Sequence, residues 1–165
     1  MAKLLYVVNA DWYFKLHWMD RALHSLESGN SVYVVLPNCS EKIKKNIELS
    51  GINVISFKLN RTGTNPISEF FSVLELNKVI NKIKPDLIHS VTIKPNLYCS
   101  LLSSINNIAL ISTFPGLGTL RVSTKKRHWM LSKIIFNSIK LFTNKTKYLA
   151  LFENQEDMDF FTSHN

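Results

Sequence analysis

At 165 residues, 45% hydrophobic and 19% charged, the chain has the length of one domain and the composition of a folded one, which excludes disorder. Its net charge of +8 is concentrated: residues 121–147 hold eight Lys/Arg and no Asp/Glu, while the other twelve Lys/Arg are balanced by twelve Asp/Glu. No run of about 18 apolar residues asks to span a membrane, and Cys39 and Cys99 lack metal or redox spacing, reading as buried thiols of a reducing cytosol.

Strands and helices alternate from the first residues. "KLLYVVN" (3–9) is a compact apolar run, too short for a signal-peptide core, and reads as a strand. "FKLHWMDRALHSLESG" (14–29) carries Leu16, Met19, Leu23 and Leu26 at helical spacing and ends in glycine. "SVYVVLP" (31–37) is the second strand, and "SEKIKKNIELSG" (40–51) a helix with a Ser cap and a terminal glycine. "INVISFK" (52–58) is the third strand, and "KLNRTGTN" (58–65) a loop. A helix over 65–85 has Pro66 near its start, where helices tolerate proline, and Pro85 after its end. Then come strand 86–91, helix 96–106, strand 108–114, a helix over about 125–142, strand 147–152 and helix 154–161.

Strands apolar on both faces belong to a parallel sheet covered by helices on both sides. Right-handed crossovers then give an α/β fold: a doubly wound, Rossmann-like parallel sheet of about six strands. In such sheets, ligands bind outside the carboxyl ends of the strands. That rule selects the loops after strands one, four, five and six. They hold Asn9, Asp11, His17, His89, Lys94, Gly116, Gly118, Asn154 and Asp157 as candidates for a ligand cleft.

The first loop, "NADWYFKL", has no glycine, which excludes the dinucleotide fingerprint, and there is no Walker sequence. No metal-ligating set stands out. His89 closes strand four, where a histidine can hydrogen-bond a sugar hydroxyl or phosphate near neutral pH, or simply pack against its neighbours. Lys94 precedes Pro95, which biases it to an extended conformation at a helix entrance, suited to an anionic ligand or to solvent. His17, beside aromatics, reads as structural before catalytic. In "STFPGLGTLR" (112–121), Gly116 and Gly118 follow a strand end and mark a tight turn or a close approach.

Residues 125–142 form an amphipathic helix of unusual balance. Lys133, Asn137 and Lys140 share one narrow stripe, and Trp129, Met130, Leu131, Ile134, Ile135, Phe136, Ile139 and Phe142 fill most of the rest. That is more apolar surface than one helix buries on a sheet. Together with Arg121, Lys125, Lys126 and Arg127 it has the composition of a helix lying on an anionic membrane surface, or of a solvated basic face over a sheet. No nucleic-acid recognition motif is present, so no nucleic-acid partner is expected.

Together these segments resemble the N-terminal half of a family-4 type, GT-B fold glycosyltransferase. The opening 32-residue strand–loop–helix stretch, "KIKPDLIHSVTIKPNLYCSLL", "STFPGLGTL" and "ALFENQEDMDFF" follow that family's motifs in order, over nearly all of residues 1–165. His89 and Lys94 match the strand-four motif, Gly116 and Gly118 the glycine loop, and Asn154 and Asp157 the strand-six motif. Many relatives carry a histidine where Pro115 stands, so no catalytic residue is assigned. The resemblance implies an acceptor-binding domain for lipid-linked or oligosaccharide acceptors, at the cytoplasmic face of a membrane. It implies no cofactor for this domain. The nucleotide-sugar donor is expected only with a separate donor-binding half, which is absent from these residues.

Overall fold

In the computed structural model, residues 1–57, 65–117 and 126–163 are described, the first three of the last segment as backbone alone. The elements are β1 (Lys3–Val8), α1 (Asp11–His17), α2 (Met19–Glu27), β2 (Ser31–Pro37), α3 (Glu41–Glu48), β3 (Asn53–Phe57), α4 (Pro66–Ile83), β4 (Leu87–Val91), α5 (Ile93–Asn106), β5 (Ala109–Phe114), α6 (Lys126–Thr143), β6 (Tyr148–Phe152) and α7 (Gln155–Ser163). The six strands form one parallel sheet in the order β3-β2-β1-β4-β5-β6, the doubly wound arrangement expected from the alternating pattern. The chain divides into two units, Met1–His89 and Ser90–Asn165.

In the first unit, β1 and β2 pair in register from Lys3 with Ser31 to Val7 with Val35. Leu5, Val7, Val8, Val32, Val34, Val35 and Leu36 are buried, as strands covered on both faces require. Ser40 caps α3 through its side chain, and Asn65 caps α4 with Pro66 in the first turn. Gly29 and Gly51 adopt φ of +84° and +87° in the helix–strand turns, a region that glycine enters without a Cβ penalty.

The helix expected over 14–29 is two helices. The backbone leaves the helical region at Trp18, with φ −122° and ψ −13°, and restarts at Met19. The buried positions are Phe14, Trp18 and Ala22, spaced by four, whereas Leu16 of the expected stripe is exposed. The bulk of Trp18 and Phe14 decides which face turns inward.

In the second unit, Phe114, Leu117, Phe136, Ile139 and Phe161 form a core, with Tyr148, Ala150 and Phe152 of β6 packed against it. Phe114 stacks on Phe152 with ring centroids 4.9 Å apart and planes 8° apart. β6 departs from the expectation that helices cover both faces: Leu149 and Leu151 are exposed. Cys99 is buried as expected, but Cys39, in the β2–α3 loop, is only partly so.

Candidate functional site

The loops that follow the strands hold the candidates, and each unit builds its own group. In the first unit, Asp11 opens α1 immediately after β1. Its Oδ1 accepts from the Trp12 amide at 2.7 Å, and its Oδ2 from the Ser40 amide at 3.3 Å. Asp11 therefore joins the loop after β1 to the loop after β2. Asn9 is partly buried one residue beyond β1. His17 is exposed at the end of α1 and lies against the Tyr13 ring at 4.5 Å.

His89, in β4, sits in an aromatic nest. It stacks on Tyr6 at 5.3 Å and meets Trp18 edge-on at 4.7 Å. The Arg21 guanidinium lies over Trp18 at 4.9 Å. Burial and then the Arg21 charge push the His89 pKa down to about 4. His89 is therefore neutral at physiological pH. A neutral imidazole can donate or accept a hydrogen bond but brings no positive charge.

In the second unit, Thr92 stands between β4 and α5 with φ 77° and ψ 163°, a conformation nearly confined to glycine. Its Oγ1 is buried without a hydrogen-bond partner among the described residues. The chain turns so sharply there that α5 begins at Ile93, three residues before the expected start. Lys94 is thus helical, not extended. Pro95 falls in the first helical turn, where a missing N–H breaks no intrahelical bond, and this outweighs the pre-proline bias.

Behind this turn lies a buried polar cluster. The Ser90 hydroxyl donates to Asn96 Oδ1 at 2.7 Å and lies 3.1 Å from the Ser112 hydroxyl. Asn96 Nδ2 donates to the Thr113 carbonyl at 2.9 Å. All four residues are buried, so their polar groups are paired with one another in place of water. Sequence reasoning passed over Asn96, although a Ser-Val-Thr-Ile-Lys-Pro-Asn run flanking a strand end contains the signal: polar residues where apolar ones would pack.

Asn154 and Asp157 surround the start of α7. Asn154 Oδ1 accepts from the Asp157 amide at 2.8 Å, and Asn154 Nδ2 donates to Asp157 Oδ2 at 3.0 Å. The same Oδ2 accepts the Leu117 amide at 3.2 Å. Asp157 is 3% exposed and Leu117 1%. The carboxylate therefore ties the glycine loop after β5 to α7. Both residues position the loop and engage protein groups, a role their spacing alone did not reveal.

Gly116 has no positive φ, and a Cβ built on it meets nothing within 4 Å. Among the described residues, neither its backbone conformation nor its packing demands glycine there. Gly118, Arg121 and Lys125 lie outside the described residues, as do the side chains of Lys126 and Arg127. On α6, Ser132, Phe136, Ile139 and Thr143 are buried. Trp129, Ile134 and Leu141 are 50%, 60% and 72% exposed, and Met130 and Leu131 are exposed as well, so the apolar excess expected from the sequence is present. Lys133 reaches over the Trp129 ring at 5.3 Å. Among the described residues, no helix is long and apolar enough to cross a membrane, and no group of three His, Cys, Asp or Glu could hold a metal ion.

A family model described as glycosyl transferase 4-like matches residues 3–150. Among curated proteins none matches the sequence. Of solved structures, the chain is similar to Anabaena HepE in complex with UDP and glucose, at 16% identity and a TM-score of 0.67, over 100% of this chain and 42% of that one. It is similar to a glycosyltransferase from Rickettsia africae at 15% identity and a TM-score of 0.58, over 90% of this chain and 42% of that one. It is also similar to a UDP-N-acetylglucosamine 2-epimerase at 13% identity and a TM-score of 0.63, over 99% of this chain and 45% of that one. Likenesses this remote show a shared fold; the chain spans less than half the length of each.

Proposed function

Since the chain belongs to the glycosyl transferase 4-like family and has the fold of one half of a GT-B enzyme, we propose that it is the acceptor-binding domain of a retaining glycosyltransferase. The enzyme would move a sugar from a nucleotide-sugar to a cell-surface polysaccharide or lipopolysaccharide precursor. The single observation that carries this reading is the family match over 3–150, which includes all the loops following β1, β4 and β5. HepE has been captured with UDP-glucose, and this chain is similar to 41% of it, which supports a nucleotide-sugar as the donor.

In this reading, neutral His89 offers a hydrogen bond to an acceptor hydroxyl. Lys94 contributes positive charge, and Gly116 and Gly118 admit acceptor or donor close to the backbone. Asp11, Asn154 and Asp157 fix the loops that do so. Donor binding falls to a separate domain, so the 165-residue chain is expected to bind a polyprenyl-diphosphate-linked or oligosaccharide acceptor and not to turn over. Incubation with labelled UDP-sugars and such acceptors tests this. Robust transfer by this polypeptide alone would refute the division of labour.

A second reading, a non-catalytic membrane-docking subunit that recruits a separate donor-binding chain, is favoured by one observation. The exposed Trp129, Ile134 and Leu141 of α6 lie within a segment of eight Lys/Arg and no acid. Basic charge beside exposed aromatic and aliphatic groups suits an anionic leaflet at the cytoplasmic face. Co-sedimentation with anionic against neutral vesicles tests it. Neutralising Lys125, Lys126 and Arg127 should abolish the preference for anionic lipid, and unchanged binding would remove the membrane from both readings.

A further inference from the structure

Toward the amino ends of β2 and β3, opposite the carboxyl-end loops that hold Asp11 and Ser40, the first unit has a cleft of about 610 Å³. A volume of this order suits a small molecule. All its walls come from elements within Met1–His89 that the chain both enters and leaves. One wall is the sheet. Tyr33 is level with Asn53, and with a side-chain period of two Ile55 shares their face. A second wall is the last turn of α4, where Val79, Lys82 and Ile83 recur at helical spacing. Glu48, the last residue of α3, and Gly51, in the turn into β3, line it as well.

The lining is of two kinds. Ile83 is buried, and Tyr33, Ile55 and Val79 are partly so, which gives the cleft an apolar bed. Glu48, Asn53 and Lys82 are exposed at its rim. Among the described residues, the Glu48 carboxylate, the Lys82 ammonium and the Tyr33 hydroxyl have no hydrogen-bond or ion-pair partner. Asn53 Nδ2 donates to the Val32 carbonyl at 3.3 Å, which leaves Oδ1 open as an acceptor. An acid and a base thus border one apolar cleft without pairing with each other. The end of α3 reinforces the acidic side, because the carboxyl end of a helix carries partial negative charge.

We propose that this cleft binds a zwitterion with an apolar body, namely an apolar α-amino acid, at a site separate from the carboxyl-end loops. Glu48 and the end of α3 take the ammonium group, and Lys82 takes the carboxylate. The side chain lies on Ile55, Val79, Ile83 and the Tyr33 ring. Charge complementarity selects this class. A purely anionic ligand would leave Glu48 unmatched beside it, a purely cationic one would leave Lys82 so, and an uncharged one would leave both.

The proposal rests on neither functional reading. L-phenylalanine titrated into the isotope-labelled chain tests it, followed by amide chemical shifts. The analogues 3-phenylpropionate and phenethylamine lack the ammonium and the carboxylate in turn. L-phenylalanine should shift the Gly51, Asn53 and Ile55 amides saturably, with a Kd of about 1 mM or below, and each analogue should bind about tenfold more weakly. Glu48→Gln should abolish the preference for L-phenylalanine over 3-phenylpropionate and keep the preference over phenethylamine. Lys82→Gln should do the converse. Both positions are exposed, so the variants should keep the parent circular dichroism and melting temperature. The absence of saturable shifts up to about 10 mM overturns the proposal. So do analogues that bind as tightly as L-phenylalanine, or preferences that survive both substitutions.

Discussion

Asp157→Ala should detach the glycine loop from α7, and the structure sets the scale of the loss. The Asp157 carboxylate accepts from the Leu117 amide and from Asn154 Nδ2. Asn154 is exposed, so its amide can turn to water, and little is lost there. Leu117 is buried, so its N–H is left without an acceptor, at a cost of about 1–3 kcal/mol. The cavity left by the removed side chain adds to this, giving about 2–4 kcal/mol in all. For a chain of this length that lowers Tm by about 5–15 °C. Asp157→Asn keeps an acceptor oxygen and should lose about 1 kcal/mol. Urea denaturation followed by circular dichroism reads the stability, and hydrogen exchange at the Leu117 amide reads the loop. Exchange there should accelerate in the alanine variant more than at the amides of β1. An Asp157→Ala protein within 0.5 kcal/mol of the parent, or with unchanged Leu117 exchange, would refute the assignment of Asp157 as the tie (this threshold is about the spread of neutral surface changes).

Thr92→Gly should raise stability: it relieves a glycine-only conformation worth about 1–3 kcal/mol and removes a buried, unpartnered hydroxyl, against about 0.5–1 kcal/mol of added chain entropy. A lower melting temperature would show that Thr92 is held by contacts that outweigh its strain. Gly116→Ala should leave stability within about 0.5 kcal/mol, since its Cβ enters open space, yet weaken acceptor binding measured by calorimetry. For His89, the folded pKa of about 4 lies below the ordinary value of 6.5, so between those pH values the unfolded chain binds more protons. Stability should therefore be full above pH 6.5 and fall by up to about 3 kcal/mol toward pH 4. His89→Phe should flatten that part of the urea-midpoint profile.

The order of elements was legible because it is written in short-range terms. Compact apolar runs, Ser40 as a cap, Pro66 at a helix start and glycines at helix ends all act within a turn. What escaped the sequence depends on distant residues. The break at Trp18 follows from which of two aromatic-rich faces the sheet accepts, and the early start of α5 follows from the strained turn at Thr92. The site shows the same division. Position in the chain was enough to bring Asp11, Asn154 and Asp157 to strand ends. It could not tell that their polar groups are already engaged, since the Asp157–Leu117 bond spans 40 residues. The neutrality of His89 was hidden likewise, because Tyr6, Trp18 and Arg21 reach it from other elements.

The buried hydroxyl and amide groups of Ser90, Ser112 and Asn96 also bear on how the chain finds its fold. To hydrophobic collapse, Ile88 and Val91 of β4 are nearly interchangeable, and a strand displaced by one residue could still bury an apolar side chain. The displaced strand would carry Ser90 away from Asn96 and strip Asn96 Oδ1 of the hydroxyl that donates to it. A stranded group costs about 1–3 kcal/mol, a sizeable share of a domain's whole stability. These few polar atoms thus act as an alignment check during folding, rejecting slipped pairings that the surrounding oily residues would tolerate.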